Sequence, residues 1–153
     1  MDFDQLSKQV QALADRQAII DLCAGYCEGV DRLDRGKLLS VFTEDALCEG
    51  PNYKYQGHEE IASMIPILDQ MFHYAWHALH NVSVRLDGDT AVAETYCTAR
   101  HLKRGATPEV GEVLTMTIRY QDRVVRTGSG WKISHRLQIR EWVETHVVSG
   151  ARV

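Results

Sequence analysis

The chain has 153 residues, of which 44% are hydrophobic and 25% charged, and its formal net charge is -4 at pH 7. This composition is typical of a water-soluble protein, and the length fits one domain spanning residues 1–153. The scattered lysines and arginines argue against nucleic acid and anionic membrane surfaces as partners. The N-terminus is acidic, and no apolar run approaches the roughly 20 residues of a membrane span, so we expect a cytoplasmic protein.

The predicted elements are mostly helices in the first half of the chain and strands in the second half. Hydrophobic periodicity predicts helices over residues 4–30, 34–42 and 57–71, the last bent or broken at Pro66, with a short strand or hairpin over 46–55. Alternating or β-branched patterns then predict strands over 81–86, 90–104, 112–126 and 131–144. Glycine-containing hairpin loops join these strands, so we expect an antiparallel sheet. Helices segregated before such a sheet predict an α+β fold, in which a curved sheet wraps the N-terminal helices and leaves a pocket.

The four cysteines, Cys23, Cys27, Cys48 and Cys97, fall within predicted helices and strands. Their spacing matches neither a redox CxxC motif nor a zinc pair, so buried free thiols are the better interpretation. Histidines and aspartates also lack a tight ligand spacing. We therefore predict no metal and no cofactor.

Asp31 continues an apolar helical stripe formed by Ile20, Ala24 and Cys27. This spacing aims a carboxylate at the core, where an unpaired charge would cost several kcal/mol or more. We therefore expect Asp31 to have a cationic or hydrogen-bonding partner, best a histidine, which is the basis of a general base.

Five segments carry a resemblance to a known family: GVDRLDRGKL at 29–38, FTEDA at 42–46, GHEEI at 57–61, HALHN at 77–81 and DGDTA at 87–91. Together they resemble the SnoaL-like group of the nuclear-transport-factor-like α+β cone superfamily over nearly the whole chain. Within that group the chain is similar to scytalone dehydratase and hexachlorocyclohexane dehydrochlorinase. The resemblance implies a cone-shaped fold with an internal pocket, and an Asp-His dyad that removes a proton without a cofactor.

The same resemblance implies roles for individual residues. Asp31 and His77 would form the dyad, and His101 matches a second pocket histidine on the next strand. Arg140 corresponds approximately to an arginine that follows the Gly-x-Trp hairpin in related enzymes. Val30 departs from the pattern, because scytalone dehydratase has a tyrosine there. The general lyase pattern therefore fits better than any single enzyme.

Further side chains are expected to contact the substrate. Tyr26 stands five residues before Asp31, as a tyrosine does in a bile-acid dehydratase of the group, and Tyr53 and Tyr55 are the other local tyrosines. The rest of the wall is expected to include Phe72, Trp76, Met116 and Ile118. Such a wall favours a small hydrophobic or aromatic molecule.

The chemistry follows from these residue types. Asp31 would accept a hydrogen bond from one ring nitrogen of His77 and stabilise the imidazolium that forms when the other nitrogen takes a substrate proton. His101 or a tyrosine hydroxyl would protonate the departing oxygen or polarise a carbonyl. The expected activity is that of a dehydratase-like lyase or an isomerase. The alternative is a non-catalytic subunit or ligand-binding module, similar to an aromatic-ring dioxygenase β subunit.

Strand alternation leaves two positions open. It places His80, Val82 and Val84 on one face and His77 on the other, so either a bulge precedes Val82, or the strand begins only near Asn81, or His80 is the inward histidine. Alternation also groups Arg140 with Lys132, Arg136 and Gln138, as a surface or interface residue. Apolar residues on both faces of the strands predict a homo-oligomer, a trimer or dimer.

Overall fold

The computed structural model describes residues 2–150. Its helices are α1 (Phe3–Asp31), α2 (Arg35–Ser40), α3 (Gly57–Ala62) and α4 (Met64–Met71). Its strands are β1 (Phe42–Gly50), β2 (Tyr53–Gln56), β3 (Phe72–Asp87), β4 (Thr90–Lys103), β5 (Gly111–Thr127) and β6 (Gly130–Val148). Helices at the N-terminal side of a six-stranded curved sheet confirm the predicted α+β class. Within residues 2–150 no helix combines the length and apolarity needed to cross a lipid bilayer.

The third predicted helix is broken earlier than expected. α3 ends at Ala62 and α4 begins at Met64, so the interruption falls at Ser63 rather than at Pro66. Pro66 lies in the first turn of α4, where a missing backbone N–H does not interrupt the helical hydrogen bonds. The proline therefore starts a helix instead of breaking one.

The sheet has the strand order β2-β1-β6-β5-β4-β3. The hairpin-connected strands β3 to β6 pair antiparallel, as predicted from their loops. β1 pairs parallel with β6, with Cys48 opposite Arg136. This parallel pairing joins strands that are far apart in the sequence, so no loop between adjacent strands could have indicated it.

α1 begins with a capping box between Asp2 and Gln5, and it ends against the edge of the sheet. Of the predicted stripe, Cys27 is buried, Ile20 is half-buried and Ala24 is exposed. The buried face of the helix is centred on Ile19, Cys23 and Tyr26. Hydrogen bonds from Arg126 and Trp131 to Asp15 hold the helix against the β5–β6 hairpin.

α2 packs closely against the end of α1. A Cβ added to Gly29 would lie 2.6 Å from the backbone nitrogen of Leu38, so glycine is needed there. The chain reverses between the two helices through Leu33, whose φ is 53°. This close packing fixes the last turn of α1, which carries Asp31.

Candidate active site

The end of α1 and the middle of β3 meet at Asp31 and His77. The Nδ1 atom of His77 lies 2.6 Å from Asp31 Oδ1, and the backbone N–H of His77 donates to Asp31 Oδ2 at 2.9 Å. β3 is an edge strand, so this N–H points away from the neighbouring strand and Asp31 satisfies it. Both carboxylate oxygens therefore hold one residue, which fixes the imidazole by its backbone and by its ring.

This contact determines the tautomer of His77. An ionised carboxylate only accepts hydrogen bonds, so Nδ1 carries the hydrogen and Nε2 keeps its lone pair. The His77 side chain is 4% exposed and that of Asp31 is 18% exposed. His77 also lines a cavity between the sheet and the helices. The arrangement has the orientation that a general base requires.

A bulge in β3 accounts for the inward direction of His77. The pairing of β3 with β4 shifts register between Leu79 and Val82, so the alternation reverses there. His80 is consequently exposed on the outer face, where Nε2 lies 2.9 Å from Thr98 Oγ1. Of the three alternatives left by the sequence, the bulge is the one found.

His101 lies beside His77 on β4. Its ring centroid is 5.4 Å from that of His77 and 4.6 Å from that of Phe72. The residue is 2% exposed, and its Nδ1 has no hydrogen-bond partner within the described part of the chain. Burial, with the neighbouring His77 as a smaller cause, lowers the pKa of His101 to about 4. His101 is therefore neutral at pH 7 and can donate a hydrogen bond from only one ring nitrogen.

The cavity has a volume of about 240 Å³, equivalent to roughly eight water molecules at about 30 Å³ each. Besides His77 and His101, the predicted residues on its wall are Tyr26, Tyr53, Tyr55, Phe72, Met116 and Arg140. Tyr53 and Tyr55 stack with ring centroids 5.3 Å apart. The volume and the aromatic wall suit a small molecule with one or two rings.

Two predicted wall residues lie elsewhere. Trp76 is 52% exposed on the outer face of the sheet, where the Arg100 guanidinium lies 5.6 Å from its ring centroid. Because Trp76 adjoins the inward-facing His77 on the same strand, it points the other way. Ile118 is 1% exposed and belongs to the hydrophobic core rather than to the cavity wall. Both predictions are therefore wrong in position.

Arg140 lines the cavity, as the resemblance implies, and it is also solvent-exposed, as the surface alternative predicted. The pairing of β5 with β6 shifts between Arg123 and Val124, which leaves Ser134 as an extra residue. From that point Arg136, Gln138 and Arg140 face the same side as the buried Ile133. Alternation correctly placed these three residues on one face of β6. The extra residue at Ser134 makes that face the inner one instead of the outer one.

Several wall residues carried no signal in the sequence. Met64, Leu68 and Met71 reach the cavity from α4, and Asn52 and Gln138 reach it from the β1–β2 turn and from β6. The apolar face of α4 could have indicated burial. Nothing in the pattern indicated that this burial is against a cavity rather than the core.

The Tyr26 ring packs against a buried ion pair between Arg136 and Asp122, which the sequence patterns did not predict. Arg136 is fully buried, and its Nε and Nη2 donate to the two carboxylate oxygens of Asp122 at 2.8 and 2.6 Å. The guanidinium lies 4.2 Å from the Tyr26 ring centroid, and the Tyr26 ring meets the His77 ring edge-on at 6.5 Å. Burial raises the pKa of Tyr26 well above its ordinary value, so its hydroxyl remains a donor.

A larger concavity of about 680 Å³ lies on the outer face of the sheet. Beside it, His135 Nε2 lies 2.8 Å from Glu49 Oε1, with both side chains about a quarter exposed. Charged and solvated side chains such as Arg85, Glu94 and Arg123 line this surface. The smaller inner cavity has the convergent polar groups and aromatic wall of a ligand site, so it is the better candidate.

A model of the SnoaL-like domain matches residues 11–137. The chain belongs to this family. An uncharacterized protein of Mycobacterium tuberculosis is 31% identical over 142 residues, covering 90% of this chain and 92% of that protein. The predicted family is confirmed.

Solved structures share the fold. A Novosphingobium aromaticivorans structure named for an aromatic ring hydroxylase has a TM-score of 0.79 and 28% identity, covering 88% of this chain and 94% of that chain. A second structure from that species, named for scytalone dehydratase, has a TM-score of 0.80 and 19% identity over 94% and 95% of the two chains. Hexachlorocyclohexane dehydrochlorinase of Novosphingobium barchaimii has a TM-score of 0.79 and 19% identity over 95% and 97%.

Proposed function

We propose that the protein is a cofactor-free lyase, of the dehydratase type, or an isomerase, with His77 as general base and Asp31 as the residue that orients it. The observation that carries this proposal is the 2.6 Å contact between His77 Nδ1 and Asp31 Oδ1 at the wall of the cavity. General-base transfer by a positioned histidine typically contributes ~10² to 10⁴ in rate.

In the proposed reaction, His77 Nε2 takes a proton from a substrate carbon next to a carbonyl. The electron pair of the C–H bond forms a carbon–carbon double bond as hydroxide or halide leaves with its own pair, or it returns to a different carbon in an isomerisation. Asp31 stabilises the imidazolium throughout.

The developing negative charge lies on the substrate oxygen, and donors in the cavity wall would stabilise it. Tyr26 has the protonated hydroxyl for this, and neutral His101 can donate one N–H. Since His101 is neutral near pH 7, its role is to polarise the oxygen by a hydrogen bond rather than to act as a cationic acid.

The test compares two histidines of the same strand. The pure protein is screened for turnover of small phenolic, quinone, cyclic ketone and halide compounds, and the best substrate is then given to His77→Ala and to His80→Ala. His80 is the matched control because it lies three residues away on the outer face. We expect His77→Ala to lose at least ~10²-fold in kcat and His80→Ala to retain wild-type kcat. Equal rates in both variants would contradict the base role, and ligand binding without turnover in the wild type would favour the non-catalytic alternative.

The outer face of the sheet supports a second proposal, that the protein is a homo-oligomer. Tyr74, Trp76, Tyr96 and Trp142 are each about half exposed or more on these strands. Large exposed aromatic side chains in one region are typical of protein interfaces. Sedimentation at micromolar concentration should show a trimer or dimer, and Trp142→Glu should shift it toward the monomer; a wild-type monomer would contradict the proposal.

A further inference from the structure

The charges on the cavity wall have one sign. Arg140 is the only Lys, Arg, Asp or Glu among the wall residues that the structure describes. Asp31 lies behind His77 and is engaged by it. Over residues 2–150 no carboxylate forms an ion pair with Arg140; its neighbour Glu141 pairs with Arg119 instead, at 2.9 Å. With His101 neutral, the described wall has one uncompensated positive charge, on an arginine that is exposed where it lines the cavity.

The polar and apolar parts of the wall are separate. Gln138 and Arg140 project from one strand, and Asn52 lies on the turn beside it. The side chains contributed by α4 are apolar: Met64, Ile67, Leu68 and Met71. A ligand that satisfies both parts therefore has one charged or strongly polar group and an apolar body.

Strand order gives the span of such a ligand. β6 and β3 are separated by β5 and β4, which corresponds to three interstrand spacings, or about 14 Å measured along the sheet between the strands that carry Arg140 and His77. Both side chains line the cavity. Ala99, which pairs with both His77 and Met116, is buried in the hydrophobic core, and Met116 lines the cavity in the same row of the sheet as His77.

We propose that Arg140, with Gln138, binds an anionic oxygen group of the substrate, a carboxylate or a phenolate, so that the substrate is a small cyclic or aromatic monoanion. Its apolar ring lies against Met116 and the apolar side chains of α4. Resting on the proposed function, the carbon that loses its proton lies at the opposite end, beside His77. A guanidinium recognises such oxygens through charge-assisted hydrogen bonds, whereas the described wall includes no carboxylate that could pair with a cation.

The proposal is tested by binding, which needs no turnover. Calorimetry with benzoate and with benzamide compares an anion with a neutral molecule of nearly the same shape, and 4-nitrophenol is measured below and above its own pKa as the phenolate arm. The variants are Arg140→Gln and, as the matched control, Arg85→Gln, because Arg85 is an exposed arginine on the outer face.

We expect the wild type to bind at least one anion about tenfold more tightly than its neutral counterpart. Arg140→Gln should remove this preference, while Arg85→Gln should keep it. Preference for benzoate alone assigns a carboxylate, and preference for ionised nitrophenol alone assigns a phenolate. Equal binding of charged and neutral forms, no binding of either anion, or a preference that survives in Arg140→Gln would overturn the proposal.

His77→Ala separates this proposal from the proposed function. The variant should keep the anion preference, since Arg140 and Gln138 are intact. Anion preference in a protein without turnover would leave this inference standing and remove the lyase. Turnover of a neutral substrate without any anion preference would do the reverse.

Discussion

Asp15 and Asp31 lie on the same helix, and both accept hydrogen bonds from residues of the sheet, yet their surroundings differ in kind. Asp15 accepts hydrogen bonds from Arg126 Nη1 and Nη2 at 2.9 and 2.7 Å, and from Trp131 Nε1 at 3.0 Å. Asp31 accepts from the backbone and ring of His77. Arginine keeps its proton at any physiological pH, whereas histidine can take and release one. The partner therefore makes one carboxylate a clamp and the other half of a dyad.

The location of each pair agrees with this distinction. Arg126 belongs to the end of β5, and its guanidinium lies 4.4 Å from the Trp131 ring centroid and bonds Asp89 as well. None of these groups lies on the cavity wall. The hydrogen bonds from Arg126 and Trp131 lower the pKa of Asp15 well below its ordinary value. The Asp15 site thus joins α1 to the sheet and has no access to a ligand.

The largest expected effect is on turnover in Asp31→Asn. An amide at this position can still accept from the His77 backbone, but it cannot stabilise the imidazolium and can hold the ring in the wrong tautomer. We expect kcat to fall about 10³-fold or more, with the unfolding midpoint close to that of the wild type. Steady-state kinetics and thermal unfolding measure the two quantities.

The double variant Asp31→Asn with His77→Ala checks that the two residues act as a unit. It should lose little more activity than the worse single variant. If the activity loss of the double variant equals the product of the two single losses, the residues act separately. Asp31 would then not differ from Asp15 by acting as a unit with a histidine.

Asp15→Asn should show the opposite profile. The change removes an ionic acceptor from a nearly buried site and leaves Arg126 and Trp131 without their shared carboxylate. We expect the unfolding midpoint to fall by about 5 °C or more, while kcat per folded molecule stays unchanged. Differential scanning calorimetry beside an activity assay resolves the two. A large loss of kcat without loss of stability would break the comparison.

The structural role of Asp15 should also appear in the pH dependence of the unfolding free energy. Because the folded-state pKa of Asp15 is lowered, its contribution is fully present above the ordinary carboxyl value of 3.8 and declines as pH falls below it. Asp15→Asn should therefore have a flatter stability curve in that acid range, as followed by urea unfolding at several pH values.

Sequence reasoning reached the fold and the dyad because both are carried by local patterns. Turn residues marked the hairpins from β3 to β6, and the motif around Asp31 matched a family. The wrong position predicted for Trp76 and the wrong face that alternation gave for Arg140 have one cause. A single extra residue in a strand reverses which side chains face inward, and it leaves no trace in an alternation pattern.

Non-local pairings were equally out of reach. The Arg136–Asp122 pair joins neighbouring strands beneath Tyr26, and each residue alone resembles an ordinary surface charge on its strand. The parallel contact of β1 with β6 and the cavity-facing position of α4 also depend on the assembled fold. Patterns therefore predicted which elements form, and three-dimensional packing decided which side chains meet.

His101 is a further buried titratable group, and neither an arginine nor a carboxylate of the described residues holds it. Its folded-state pKa of about 4 lies below the ordinary 6.5, so the unfolded chain binds the proton more readily between these values. Stability should then rise as pH increases from 4 to 6.5 and be fully present above that range, by about 3 kcal/mol at most.

His101→Gln cannot titrate, so its stability should change less with pH across this interval than that of the wild type. Urea unfolding at half-unit pH steps measures the difference, and His58→Gln, which changes a histidine outside the cavity wall, serves as the control. Identical slopes for the wild type and His101→Gln would mean that His101 is not held neutral by burial. It would then be available as a cationic acid beside His77.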